Sequence, residues 1–335
     1  MKVVNIVLVG FGKVGKAFFR IACEKRDLCL QQYGLDIQFK AIFEEPGMLS
    51  SLNHLNIEDL LANNIDWRPG IRLDSVLEKE RAGVLVECTP SNIKKGEPGL
   101  SHLHQALDRG WHVVTANKGP LVVDFPGLKR KAKEKHLALK FSGATAAALP
   151  TLDVALFSLA GAEITGIEGI LNGTTNYILT RMEDGMDYRE ALREAQAKGI
   201  AESDPSLDVE GWDTASKILL IANEVLGTEF SMKDVKVEGI TNISPHIVNQ
   251  ARKKGKSLKL LGKLTKIKDE FKIEVALSAI DDSNPLFGVD GANKGITFTT
   301  DTMDKVTVSG GKSDPRGAGA SLLKDIINIY RSSFF

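Results

Sequence analysis

VVNIVLVGFGKVG, residues 3–15, decides the fold. Val3 to Val9 is a nearly unbroken apolar, β-branched run, which predicts a strand buried on both faces of a parallel sheet. Gly10, Gly12 and Gly15 follow at once, and a helix is predicted over Lys13–Cys23. The spacing has a chemical reason. Gly10 allows the tight turn, Gly12 lets the backbone approach a pyrophosphate, and Gly15 lets the helix pack closely on the strand. The helix N-terminus attracts the negative charge. Gly10, Gly12, Lys13, Val14 and Gly15 are therefore candidate cofactor contacts; a βα turn without a ligand is the plainer alternative.

Working outward, strand and helix patterns alternate through residue 137. Strands are predicted at Ile37–Phe43, Val84–Cys88, Trp111–Thr115 and Leu137–Phe141, with helices at Leu100–Arg109 and Gly127–His136. That alternation predicts an α/β fold with a Rossmann-type doubly wound sheet. The second strand ends at Glu44, where an acid binds ribose hydroxyls and disfavours a 2′-phosphate, so NAD is preferred to NADP. The distance from Gly15 to Glu44 is longer than usual, which suggests an insertion around Arg26–Asp36. Thr89, Pro90, Ser91, Asn117 and Lys118 follow the ends of two later strands, the edge at which such sheets bind ligands.

After residue 137 the pattern changes to α+β. Helices are predicted at Ala148–Leu159, Asp187–Lys198 and Gly211–Leu226. Strands are predicted at Glu163–Leu171, Ser257–Ile267, Phe271–Ile280 and through Ile296–Val308. Asp187 and Glu190 fit a capping box, with Gly199 closing the same helix. Trp212, Ala215, Leu219, Ala222 and Leu226 share a helical stripe. A glycine-rich turn and a last helix follow.

The 335 residues are enough for two domains. With 43 basic and 43 acidic residues the formal charge is zero, which argues against nucleic acid. The basic runs at 128–136 and 251–259 read as solvated helix ends. Three cysteines without a CxxC pair argue against a disulfide framework or structural zinc. No apolar run is long enough to span a membrane, and residues 1–15 read as a strand rather than a signal peptide. The expected location is cytoplasmic.

Residues 199–217, GIAESDPSLDVEGWDTASK, concentrate Glu202, Asp204, Asp208, Glu210 and Asp213 ahead of Lys217. An acid-rich loop running into an amphipathic helix suggests a pocket for a small, positively charged polar molecule. Asp213 and Lys217 stand one turn apart, which on spacing alone is also an ordinary surface pair.

These segments together resemble the homoserine dehydrogenase family. The resemblance rests on GFGKVG, TANKGPL (115–121), GILNGTTNYIL (169–179), residues 195–217, NPLFGVDGANKGI (284–296) and RGAGASLLKDI (316–326), in order along the chain. It implies a short form without a fused kinase or regulatory domain, reducing L-aspartate 4-semialdehyde to L-homoserine with a nicotinamide cofactor, in threonine and methionine biosynthesis. It implies a dinucleotide-binding domain at 1–137, to which 306–335 returns, a catalytic and dimerisation domain at 138–305, and a homodimer. Lys217 and Lys118 match the catalytic lysines. Glu202, Asp208 and Asp213 match acids that hold the amino acid, Gly173 and Thr174 lie in the substrate loop, and Gly317 joins the cofactor contacts. Other amino-acid dehydrogenases on this scaffold, such as an aspartate dehydrogenase, and a non-catalytic cofactor-binding protein are the alternatives.

Three positions depart from the family. Ser142 stands where a glutamate often helps hold a sodium-type cation, so no metal-ligating residue is assigned and such an ion would depend on backbone carbonyls. Ile200 replaces a tyrosine before the substrate acid. Glu44 replaces an aspartate, and the arginine of NADP-preferring members is absent, with Pro46 nearby. For reduction, oxygen gains negative charge and then a proton, which a lysine ammonium can supply. In the reverse direction a lysine near its ordinary pKa of ~10.4 is a poor base. Burial against Trp212 and Leu219, or the nearby Lys118, is expected to lower it, and Asp213 to raise it.

Overall fold

The computed structural model describes residues 1–45, 47–50, 67–311 and 314–331; Pro46 lies outside them. The chain divides into two compact units, Met1–Ala148 with the segment from Asp314, and Leu149–Ser313.

In the first unit, β1 (Lys2–Val9) lies at the centre of a sheet with β2 (Leu35–Glu44), β3 (Gly47–Ser50), β4 (Val84–Glu87), β5 (His112–Thr115) and β6 (Leu139–Lys140). The order is β3-β2-β1-β4-β5-β6. Every pairing is parallel except the edge pair β2–β3. This is a Rossmann-type order, with the ligand edge at the carboxyl ends of β1 and β4. Helices α1 (Lys13–Glu24), α2 (Arg26–Tyr33), α3 (Leu73–Lys79), α4 (Gly99–Asp108), α5 (Lys118–Glu134) and α6 (Ser142–Ala146) connect the strands or follow them. The expected insertion at 26–36 is largely α2, closed by Gly34 at φ 65°.

The core joins Val4, Ile6 and Leu8 of β1 to Phe18 of α1 and to Leu322 and Ile326 of the last helix, Pro315–Arg331. A Cβ at Gly319 would lie 2.7 Å from the Phe18 nitrogen, so that glycine lets the two helix backbones approach closely. Ser142 donates to Asp325 through its amide at 2.9 Å and its hydroxyl at 2.8 Å. The boundaries therefore differ from the sequence reading. β6 pairs with β5 and α6 packs with the last helix, so both belong to the first unit rather than to 138–305. The return begins at Asp314, not at 306, because Val306–Val308 belong to a strand of the second sheet. The helix expected from Gly127 starts at Lys118 instead and breaks at Asp124 (φ −143°), ahead of Pro126.

In the second unit, β7 (Ile164–Ile170), β8 (Val235–Val237), β9 (Ser257–Ile267), β10 (Glu270–Ile280), β11 (Gly295–Thr300) and β12 (Lys305–Ser309) form a sheet ordered β12-β11-β7-β9-β10-β8. Only β8–β10 is parallel. The helix expected at 148–159 is a short α7 (Thr151–Asp153) running into a π-helical turn, Val154–Ser158. Then follow α8 (Gly173–Glu183), α9 (Tyr188–Ala197), α10 (Ser206–Val209), α11 (Trp212–Leu226) and α12 (Pro245–Lys253). The capping box of α9 forms between Asp187 and Glu190, and Gly199 has φ 69°. α11 packs on β9, where a Cβ at Gly262 would meet Thr214 and Ile218 at 3.1 Å. Trp212 does not join the buried stripe. It is 37% exposed and its indole N–H donates to Glu210 at 3.2 Å.

Candidate functional site

The glycine turn of the first unit separates into two jobs. A Cβ at Gly10 would lie 2.5 Å from the Cys88 carbonyl carbon, and one at Gly15 would lie 2.0 Å from the Gly10 oxygen. Gly10 also has φ 90°. Those two glycines are required by the fold itself. Among the described residues, a Cβ at Gly12 would meet nothing within 4 Å and no side chain caps α1, whose first residues are Lys13 and Val14. The turn thus presents open backbone at a helix N-terminus, a cradle that a Cβ would fill and that suits a dinucleotide's phosphates. Glu44, at the end of β2, accepts a hydrogen bond from the amide of Phe11 within that turn. The acid assigned to the ribose therefore lies against the phosphate cradle.

The loops after β4 and β5 are tied together by a residue that the sequence reading passed over. Glu87 is fully buried at the end of β4. Its carboxylate accepts from the Thr89 amide at 3.1 Å, from the Thr89 hydroxyl, and from Thr115 Oγ1 at 3.3 Å. Its signal was the single acid closing the apolar run VLVE. Asn117 donates to Thr89 Oγ1 at 3.1 Å and accepts from the Gly119 amide at 2.9 Å, so its side chain caps α5 and joins the two loops. Pro90 lies in the same loop, with its carbonyl 3.5 Å from Asn117 Nδ2. The Lys118 amide donates to Ser91 Oγ at 3.1 Å. Lys118 thus projects from the first residue of α5, with its backbone fixed.

Gly317, assigned to the cofactor contacts, donates its amide to Asp314 Oδ1 at 2.6 Å, at the start of the last helix. Near Ser142, Lys324 Nζ lies 2.9 Å from Ser142 Oγ and 3.0 Å from Asp325 Oδ1. The carbonyl of Ala147 accepts from the Ser321 hydroxyl. An ammonium thus already neutralises the Asp325 carboxylate beside Ser142, and that side chain is not left to hold a sodium-type ion. Among the described residues, no group of three or more His, Cys, Asp or Glu could hold a metal.

The second unit gathers its acids and lysine around one point. Lys217 Nζ donates to Asp213 Oδ2 at 2.6 Å and to the carbonyl of Leu171 at 2.8 Å. Asn172 Nδ2 donates to Asp208 Oδ1 at 2.7 Å and to Asp213 Oδ2 at 2.8 Å. Burial, and then the charge of Asp213, push the Asp208 carboxyl above the usual range. Lys217 and hydrogen bonds from Asn172 and Thr174 oppose that rise. Gly173 is the first residue of α8, and Thr174 Oγ1 donates to the Ile200 carbonyl at 3.1 Å. Ile200 therefore contributes backbone where the family has a tyrosine side chain.

Glu202, also expected to hold the amino acid, has an exposed side chain that no hydrogen bond among the described residues ties to this cluster; its carbonyl accepts from Gln196 at 3.2 Å. Asp204 caps Ser206 at 3.1 Å and Glu210 holds Trp212, both local roles. Sequence reasoning missed Asn172. An Asn ahead of Gly-Thr-Thr does signal an N-cap, but not the two carboxylates that it reaches.

A Rossmann-type unit with an open phosphate cradle, and a second unit with a lysine held by one carboxylate and one carbonyl, fit an oxidoreductase that uses a nicotinamide cofactor. The homoserine dehydrogenase profile matches residues 150–327. The homoserine dehydrogenase of Methanocaldococcus jannaschii is 37% identical, over 98% of this chain and 99% of that protein. The NAD(+)-dependent homoserine dehydrogenase of Pseudomonas canavaninivorans is 33% identical, over 98% and 97%. The crystal structure of S. aureus homoserine dehydrogenase at pH 8.5 superposes with a TM-score of 0.80 at 28% identity, over 100% of this chain and 77% of that one. The chain belongs to the homoserine dehydrogenase family. No helix among the described residues is long and apolar enough to cross a membrane.

Proposed function

We propose that this protein interconverts L-aspartate 4-semialdehyde and L-homoserine, in threonine and methionine biosynthesis. The single observation that carries the reading is the bonded set Lys217–Asp213–Asn172–Asp208 beside the N-terminus of α8. The cofactor supplies the hydride. The chain's own residues do the rest. An ammonium has three donors. Two of those on Lys217 go to Asp213 and Leu171, which leaves the third for the substrate oxygen. There it stabilises the developing alkoxide and delivers the proton. Asp208 meets the substrate's ammonium, and the first amides of α8, at Gly173 and Thr174, meet its carboxylate.

The first unit is read as the dinucleotide-binding domain and the second as the catalytic and dimer-forming one. Lys118 is the second catalytic cation. Glu44 favours NAD over NADP, because a carboxylate repels a 2′-phosphate. A cytoplasmic homodimer completes the proposal. The test is an initial-rate comparison of NADH and NADPH with aspartate semialdehyde, alongside oxidation of homoserine and of aspartate. Protein that binds NADH but never oxidises it with the semialdehyde rules this reading out, and a preference for aspartate replaces it with an aspartate dehydrogenase.

A further inference from the structure

Asn172 is 5% exposed and uses both ends of its side chain. Its Oδ1 caps α8, accepting from the Thr175 amide at 2.9 Å and from Thr175 Oγ1 at 3.2 Å. Its Nδ2 has two protons. One goes to Asp208 at 2.7 Å and the other to Asp213 at 2.8 Å. Asp213 Oδ2, the oxygen that receives one of them, is also the oxygen that holds Lys217.

As a cap, Asn is nearly equivalent to Asp and Ser, so capping alone does not require it. Only Asn among them combines an acceptor for the cap with two donors for carboxylates. Two carboxylates brought together in a partly buried place repel unless something between them donates. The charge-neutral amide does this without adding a cation that would compete for the substrate's own ammonium.

We propose that Asn172 is a positioning residue for the reaction: its carboxamide fixes Asp208, which grips the amino acid, in register with Asp213, which aims Lys217. The role rests on the homoserine reading of the site. It makes the N-cap of α8 part of the reaction geometry, rather than only a helix stop.

Asn172→Ser and Asn172→Asp both keep a capping oxygen and both lose the twin donors; Asp also adds a third carboxylate. The wild type and both variants are compared for kcat and KM toward homoserine, homoserine binding by calorimetry, NAD dissociation constant and melting temperature. The serine variant is expected to lose about 10- to 100-fold in kcat/KM, the size of charge-assisted hydrogen bonds. The aspartate variant loses more. NAD affinity stays within about twofold in both, as a local effect requires. Values of kcat/KM near the wild type in both variants overturn the proposal while leaving the homoserine reading intact. So does a loss of NAD affinity in step with homoserine affinity, which marks a general collapse. A wild type that neither binds nor oxidises homoserine overturns both. If the aspartate variant does not fold, the serine variant decides alone.

Discussion

Lys217 Nζ stands 2.6 Å from Asp213 Oδ2, one turn back on the same helix, with both side chains mostly buried. An exposed pair of this kind contributes little, but here the acid is also anchored by Asn172 and the lysine by the Leu171 carbonyl. The ammonium is therefore held in one direction. Replacing Lys217 by Ala is expected to lower kcat by about 10²- to 10⁴-fold, the usual range for a positioned acid or base. NADH affinity, read by fluorescence titration, stays within about threefold on the same local argument. A parallel loss of NADH binding would mark Lys217 as structural.

Asp208 carries a cost that its role explains. Burial raises its carboxyl pKa in the folded protein. The unfolded chain then holds fewer protons over the window from the ordinary aspartate value upward, so stability declines as pH rises through that window. Asp208→Asn removes the penalty. The expected result at neutral pH is a melting temperature equal to or above that of the wild type, with homoserine affinity lost. A variant that melts lower at neutral pH and higher in acid would reverse the sign and remove this account.

Gly12 and Gly15 make opposite predictions, although they belong to one motif. Gly15→Ala puts a Cβ 2.0 Å from a backbone oxygen and should destabilise the fold outright. Gly12→Ala meets nothing within 4 Å, so the melting temperature should hold while the NAD dissociation constant rises. Thermal melts beside NAD titrations separate the two. Unchanged NAD binding in Gly12→Ala would place the phosphates elsewhere.

Glu44 touches the Phe11 amide and is half-buried at the end of β2. Glu44→Ala should weaken NAD more than NADP, because it removes a ribose acceptor and a charge that repels the 2′-phosphate. The ratio of the two dissociation constants is the measurement. A ratio equal to that of the wild type excludes Glu44 from the ribose site.

Much of the fold was legible because its signals are local. The strand–glycine–helix start, the capping box at Asp187 and the long strands of the second sheet depend on neighbours within a few residues. What escaped depends on distant partners. Asn172 reaches acids 36 and 41 positions away, and no local pattern records that. Glu87 looks like a strand-end acid until Thr115, from the adjacent strand, closes over it. Trp212 misled for a different reason. It falls on the apolar stripe by spacing, yet it is the first residue of α11, ahead of the turns that meet the sheet.

The last helix has a bearing on how this protein is made. Ser142 finds its partner, Asp325, 183 residues later, and Phe18 is covered by the helix that carries Gly319. The second unit is one uninterrupted stretch, Leu149–Ser313. On a ribosome, where domains generally fold as units during synthesis, that stretch has all its strands before the first unit has its final helix. The part of the chain translated first is thus the part completed last. Until the final helix emerges, the apolar face of α1 lacks its cover, and a transcript truncated before Pro315 should yield protein with a closed second sheet and an unfinished dinucleotide fold.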